Sequence, residues 1–202
     1  DLDYTSLYPS VIKSLNLGIE TLVGRISSSN ANYEQNYSLD KLEELEEQEI
    51  RLEKLNTNTY TLEEITLPLN KLIKLIKSEK LTISASGALF KTNKQSIVSQ
   101  ILEDWFLKRE HYRGLKKTAG KEEDWVKYQL YDVFQHSFKI LQNALYGTFA
   151  KNGWRYTDGH KFISKAITLT GQRLAQDTIT IVNKWMNAEI QTEGIDYIIT
   201  SD

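Results

Sequence analysis

The clearest strand signals in this chain lie at its two ends, and helix-forming sequence fills most of the middle. Residues 1–10 read as a strand end running into a turn punctuated by Pro9. Residues 195–200 form a β-branched run that stops at Ser201-Asp202. A strand at each terminus allows Asp3 and Asp202, far apart in sequence, to become neighbours on one small sheet. That constraint points to an α+β fold in which helices pack on a small sheet.

Between the ends, residues 11–17 have the apolar spacing of a short helix, and residues 27–36 are polar and aperiodic, as in a loop. Leu42, Leu45, Ile50, Leu52 and Leu55 recur at roughly helical intervals, which predicts a helix over 40–55 behind a Ser38 or Asp40 cap. A second helical segment is expected within 62–77, its proper start near Pro68, since proline is tolerated best in a first turn. Residues 81–90, with Gly87 inside, look like an irregular strand or hairpin. Three long helices follow. The first, 93–117, turns Ile97, Ile101, Leu102, Trp105, Phe106 and Leu115 to the core and is broken by Gly120. The second, 122–145, returns antiparallel across a short connection, and the third covers 162–186.

Composition narrows the chemistry. With no cysteine, disulfides and thiolate metal sites or nucleophiles are excluded, and a reducing cytosol is permitted. No run approaches the roughly 20 apolar residues of a membrane span, so no membrane partner is expected. The formal charge of −2 hides an asymmetry: residues 40–54 are strongly acidic, whereas 108–121 hold a single acid, Glu110, among Lys, Arg and His. An acidic arm and a basic arm suit a protein that meets polyphosphate on one face. The chain opens on Asp1 rather than Met, which suggests a fragment or a processed piece.

The stretch Asp3-Tyr4-Thr5-Ser6-Leu7-Tyr8-Pro9-Ser10 is the most specific on the chain. A carboxylate at a strand end is held rigidly and can ligate Mg²⁺, which takes hard oxygen donors and substrate phosphates. The turn behind it presents backbone N–H groups, from Leu7 and its neighbours, where a triphosphate can settle. Lys139, Asn143 and Gly147 recur every four residues and so share one helix face. Arg109 and Arg113 are likewise one turn apart, with Lys116 and Lys117 a turn further on. An arginine fork holds phosphate oxygens in two places at once.

These segments, in this order, resemble family B DNA polymerases of the replicative type. The first resembles motif A, D-x-x-S-L-Y-P-S, at every specified position. Lys139 to Gly147 resembles motif B, K-x-x-x-N-S-x-Y-G, with Ala144 where the family usually has Ser. Arg109-Glu110-His111-Tyr112-Arg113 resembles the fingers pair R-x-x-x-K, with Arg in the Lys place. An alternative register would move that pair to Lys108 and Tyr112. Tyr197-Ile198-Ile199-Thr200-Ser201-Asp202 resembles the first half of motif C, ending at its first Asp. Trp154-Arg155-Tyr156 and residues 162–173 resemble the T-even phage branch.

The resemblance implies a palm, a small antiparallel sheet with helices, interrupted by α-helical fingers and incomplete at both ends. Palm with a helical insertion is expected over 1–80, fingers over 81–147, and palm again over 148–202. Asp3 and Asp202 become ligands of two Mg²⁺ ions, and Asp3, Asp202 and Lys139 the catalytic residues. Ser6, Leu7, Tyr8, Arg109, Arg113, Lys139, Asn143, Tyr146 and Gly147 would contact the incoming nucleotide. Tyr8 would be the steric gate against a 2′-hydroxyl, and Gly147 would let the backbone approach the bases. The implied function is template-directed DNA synthesis from dNTP on primer-template DNA, by a two-metal mechanism, with the fragment alone inactive. A sliding clamp and a helicase are further implied partners, in the cytoplasm of a bacterial host if the gene is phage-borne. Two alternatives stay open: a non-catalytic helical module of polymerase ancestry, and a protein-primed polymerase of the same family.

Overall fold

The computed structural model describes residues 4, 6–27, 36–46, 49–56, 59, 61–149 and 162–194. In chain order these form α1 (Leu7–Leu15), β1 (Leu22–Ile26), α2 (Leu39–Glu43), β2 (Glu49–Leu55), β3 (Leu62–Pro68) and α3 (Leu69–Ser78). Then come β4 (Thr82–Ile83), β5 (Ala88–Phe90) and the three long helices α4 (Ile97–Lys121), α5 (Trp125–Phe149) and α6 (Phe162–Ile190). The fold is α+β, as the terminal strand signals suggested, but the described sheet is built from other residues. Its five strands run in the order β3-β2-β1-β5-β4, every neighbouring pair antiparallel. The terminal strand 195–200 lies outside the described residues.

The expected helix over 40–55 is the largest correction. Ser38 does cap a helix, its side chain accepting from the Lys41 N–H at 3.2 Å, but that helix ends at Glu43. Glu43, Glu44 and Glu46 crowd like charges within one turn, which disfavours continuing it. Beyond them the chain alternates, with Ile50 and Leu52 buried and Glu49 and Arg51 exposed, and pairs from Glu49↔Pro68 to Leu55↔Leu62 as a hairpin. Residues 62–68 are therefore strand rather than helix, and α3 begins directly after Pro68. Between α1 and β4, strands β1, β2 and β3 thus alternate with the short helices α2 and α3.

β5 explains why the sheet is sound at its centre. All three of its residues are buried, because successive side chains point to opposite faces and both faces are covered. Ala88 and Phe90 join Val11, Ile12, Leu17, Leu22, Leu102 and Ile167 in a core between the sheet and α1, α4 and α6. Leu89 faces the other way and packs with Ile26, Leu42, Ile50, Leu52, Leu72 and Ile76 under α2 and α3. The predicted hairpin over 81–90 is present, and Gly87 turns it with φ at 81°.

The long helices follow expectation in number and direction, not in detail. Ile97 and Ile101 are exposed rather than core-facing, and Leu102 alone of the six named residues is fully buried. Gly120 does not break α4, which runs on to Lys121. Its missing side chain lets the Tyr128 ring close in, 3.3 Å from where a Cβ would stand. The turn falls at Glu123, φ 57°, and Asp124 caps α5 through Lys127 N–H at 3.1 Å. Tyr112 stacked near Phe134 and Phe138, and Lys116 bonded to Asp132, fix α4 and α5 as an antiparallel hairpin. Among the described residues no helix is long and apolar enough to cross a membrane.

Candidate functional site

Residues 1–10 do not hold a turn at Pro9 as expected. Helix α1 already starts at Leu7, with Pro9 in its first turn, where a missing N–H costs nothing. The turn lies one residue before it, at Ser6, whose φ of 58° and ψ of 59° are left-handed. A non-glycine residue there costs on the order of 1 kcal/mol and persists only if its surroundings hold it. Ser6 does not cap the helix. Its Oγ instead accepts from Arg109 Nη1 at 3.3 Å. The N–H groups of Leu7 and Tyr8 thus remain without an intrahelical acceptor at the positive end of the helix dipole, as an anion site requires.

Arg109 arrives there because α4 is fastened to the far end of α1. Asn16, left-handed at the end of α1, donates to the carbonyls of Lys91 and Lys94 at 2.7 and 2.8 Å and accepts from Ser96 N–H at 2.8 Å. Ser96 in turn caps α4. With that end fixed, Arg109 reaches Ser6, and its Nε is buried with no partner among the described residues. Of the two, Arg109 rather than Lys108 reaches Ser6: Lys108 pairs instead with Asp104 at 2.7 Å.

Tyr8 stacks on Tyr146 of α5 with ring centroids 4.6 Å apart and planes tilted by 30°. Its edge rests on Gly171 of α6. Tyr4 hydroxyl donates to the Leu174 carbonyl at 3.1 Å and also bonds Thr178, so α6 closes the third side. Three long helices therefore meet at the short α1, bringing together Ser6, Leu7, Tyr8, Arg109 and Tyr146.

Other residues named from the sequence are not part of that contact. Arg113 is half-exposed and paired with Glu110 at 2.6 Å. It borders a cleft of about 470 Å³ on the α4–α5 hairpin, with Lys116, Lys117, Tyr128 and Gln135. Lys139, Asn143 and Gly147 do share a face of α5, and all three are exposed. Lys139 has no ion pair among the described residues, and a Cβ at Gly147 would meet nothing within 4 Å. This face is open on the protein side. Asp3, Asp202, the segment 197–202 and Trp154-Arg155-Tyr156 lie outside the described residues.

Sequence reading passed over Gly171, Tyr4 and Gln142. Gln142 is buried next to Asn143, and its Oε1 has no partner. A glycine inside an otherwise helical run was the one available signal for Gly171.

The chain matches the model of DNA polymerase family B over residues 2–199. It belongs to that family. A DNA polymerase of Fowlpox virus (strain NVSL) is 27% identical over 189 residues, a match covering 93% of this chain and 16% of the viral protein. The chain thus spans a minor part of the length of that curated relative.

Proposed function

We propose that this chain forms the nucleotide-binding centre of a DNA-directed DNA polymerase, which joins dNTP to a primer 3′-hydroxyl on template DNA. The observation that carries the reading is the meeting of Arg109 and Ser6 at an uncapped helix start, beside the Tyr8–Tyr146 stack. The N–H groups of Leu7 and Tyr8, without an acceptor among the described residues, would take phosphate oxygens of the incoming nucleotide, with Arg109 adding charge from α4. Lys139 and Arg113 project from the same α4–α5 hairpin and would neutralise charge that builds on the leaving pyrophosphate. Lys139 would donate a proton to it. Tyr8 would lie under the sugar and reject a 2′-hydroxyl, while Asn143, Tyr146 and Gly147 border the nascent base pair.

The carboxylates of Asp3 and Asp202 are hard oxygen donors of the kind Mg²⁺ takes, and two such ions would supply activation of the primer hydroxyl and charge neutralisation at the pyrophosphate. Asp3 directly precedes Tyr4 in sequence, and Tyr4 bonds Leu174 and Thr178 of α6. Assignment to the T-even-like, nucleic-acid-primed branch rests on the S-L-Y-P-S ending and on residues 154–173. The test is Mg²⁺-dependent extension of a primer-template by the full-length gene product, with and without Asp3→Ala. Extension abolished by the substitution supports the reading. Near-normal extension by Asp3→Ala removes the metal assignment, and no extension by either points to the non-catalytic alternative.

A further inference from the structure

Gly171 sits in the interior of α6, where glycine costs a helix roughly 1 kcal/mol relative to alanine. A Cβ built on it would stand 3.2 Å from Tyr8 Cε1, 3.5 Å from Leu7 Cδ2 and 3.6 Å from Tyr8 Cδ1. The first of these is closer than the roughly 3.5–4.0 Å at which carbon atoms rest against each other. A methyl group at 171 therefore forces either α6 or the Tyr8 ring to move.

The helix is the part that cannot. Thr170 Oγ accepts from the Ala85 N–H at 3.0 Å, one residue before Gly171. Arg173 Nη1 donates to the Tyr37 carbonyl at 2.8 Å, and the Leu174 carbonyl holds Tyr4. Ala166 and Ile167, a turn earlier, are fully buried in the core. Tyr8, by contrast, is 38% exposed and is backed by the Tyr146 ring. The ring yields.

We infer that Gly171 is a specificity-determining residue: its missing side chain sets the depth at which the Tyr8 ring seats, and with it the room left for the sugar of the incoming nucleotide. The inference rests on the sugar-contacting role proposed for Tyr8 and adds a second-helix residue to it. A methyl at 171 drives the ring off α6 and into the sugar space. Deoxynucleotide then binds less well, and ribonucleotide is not admitted.

The test compares Gly171→Ala, Tyr8→Ala and the double variant in the full-length gene product, by single-nucleotide insertion with dNTP and rNTP. With Tyr8 present, Gly171→Ala is expected to raise KM for dNTP about tenfold, the scale of a sub-ångström misplacement at a reacting centre. In the Tyr8→Ala background the same substitution should change KM by less than about twofold, since the ring it displaces is gone. An unchanged KM with Tyr8 present, or an equal loss in both backgrounds, overturns the inference and leaves Gly171 a packing residue of α6. Sugar discrimination unaltered by Tyr8→Ala alone is a different result, and it sinks the gate role beneath the inference.

Discussion

Arg109 Nη1 meets Ser6 Oγ at 3.3 Å, and the two residues are 103 positions apart in sequence. The bond holds a left-handed serine in place and brings a guanidinium to the start of α1. Arg109→Ala should raise KM for dNTP by roughly tenfold to a hundredfold, the worth of a charge-assisted hydrogen bond of about 1.5–3 kcal/mol. Arg109→Lys should recover only part of this, because a point charge lacks the fork that serves Ser6 and phosphate together. Steady-state insertion kinetics decide it, and an unchanged KM would exclude Arg109 from the nucleotide site.

Tyr8→Ala should admit ribonucleotides while leaving the fold intact, since the ring is more than one-third exposed and loses mainly its stack on Tyr146. The ratio of dNTP to rNTP insertion efficiency measures it. A ratio equal to that of the parent protein would be incompatible with a gate at this position.

Gln142 offers a test of stability alone. Its Oε1 is buried without a donor, an arrangement that costs about 1–3 kcal/mol. Gln142→Met keeps the volume and removes the unmet acceptor, so the variant should melt higher, by an amount worth about 1 kcal/mol. A lower melting temperature would mean that the amide is satisfied in solution.

The α4–α5 hairpin carries a pH signature. Hydrogen bonds from Lys116, at 2.7 Å, and then from Gln135 hold the Asp132 carboxyl below its ordinary 3.8. The same bond to Asp132 holds Lys116 above its ordinary 10.5. A lowered carboxylate stabilises the folded chain above its unfolded value, and that contribution disappears as pH falls through the folded value. A raised ammonium stabilises below its unfolded value, and that contribution disappears as pH rises through the folded one. Asp132→Asn should therefore lower the melting temperature most between about pH 5 and pH 9, with the difference closing outside that window. A constant difference down to pH 2 would assign the effect to packing.

What the sequence made legible is uneven for physical reasons. Ser6, Tyr8, Arg109 and Tyr146 could be named in advance because each belongs to a short segment whose residue types are set by chemistry, and the fold brings them into contact. The long helices were readable from their period, and α3 from Pro68. Strands β2 and β3 were not, because the glutamates around Leu42 and Leu45 imitate an amphipathic helix until the pairing partner is known. Ile97 and Ile101 misled for a related reason: apolar periodicity marks a face without saying whether anything covers it. Gly171 was invisible as a site residue, since the atom it makes room for is 163 positions away along the chain.

The convergence of α4, α5 and α6 on nine residues near the start of the chain also governs when the site can exist. The α4–α5 hairpin closes through contacts between near neighbours and forms early. The contacts that shape the start of α1 join residues 103 and 170 positions apart, a contact order that places them late in folding. During synthesis, then, the motif made first waits longest: Ser6 and Tyr8 leave the ribosome long before Leu174 exists to close the third side.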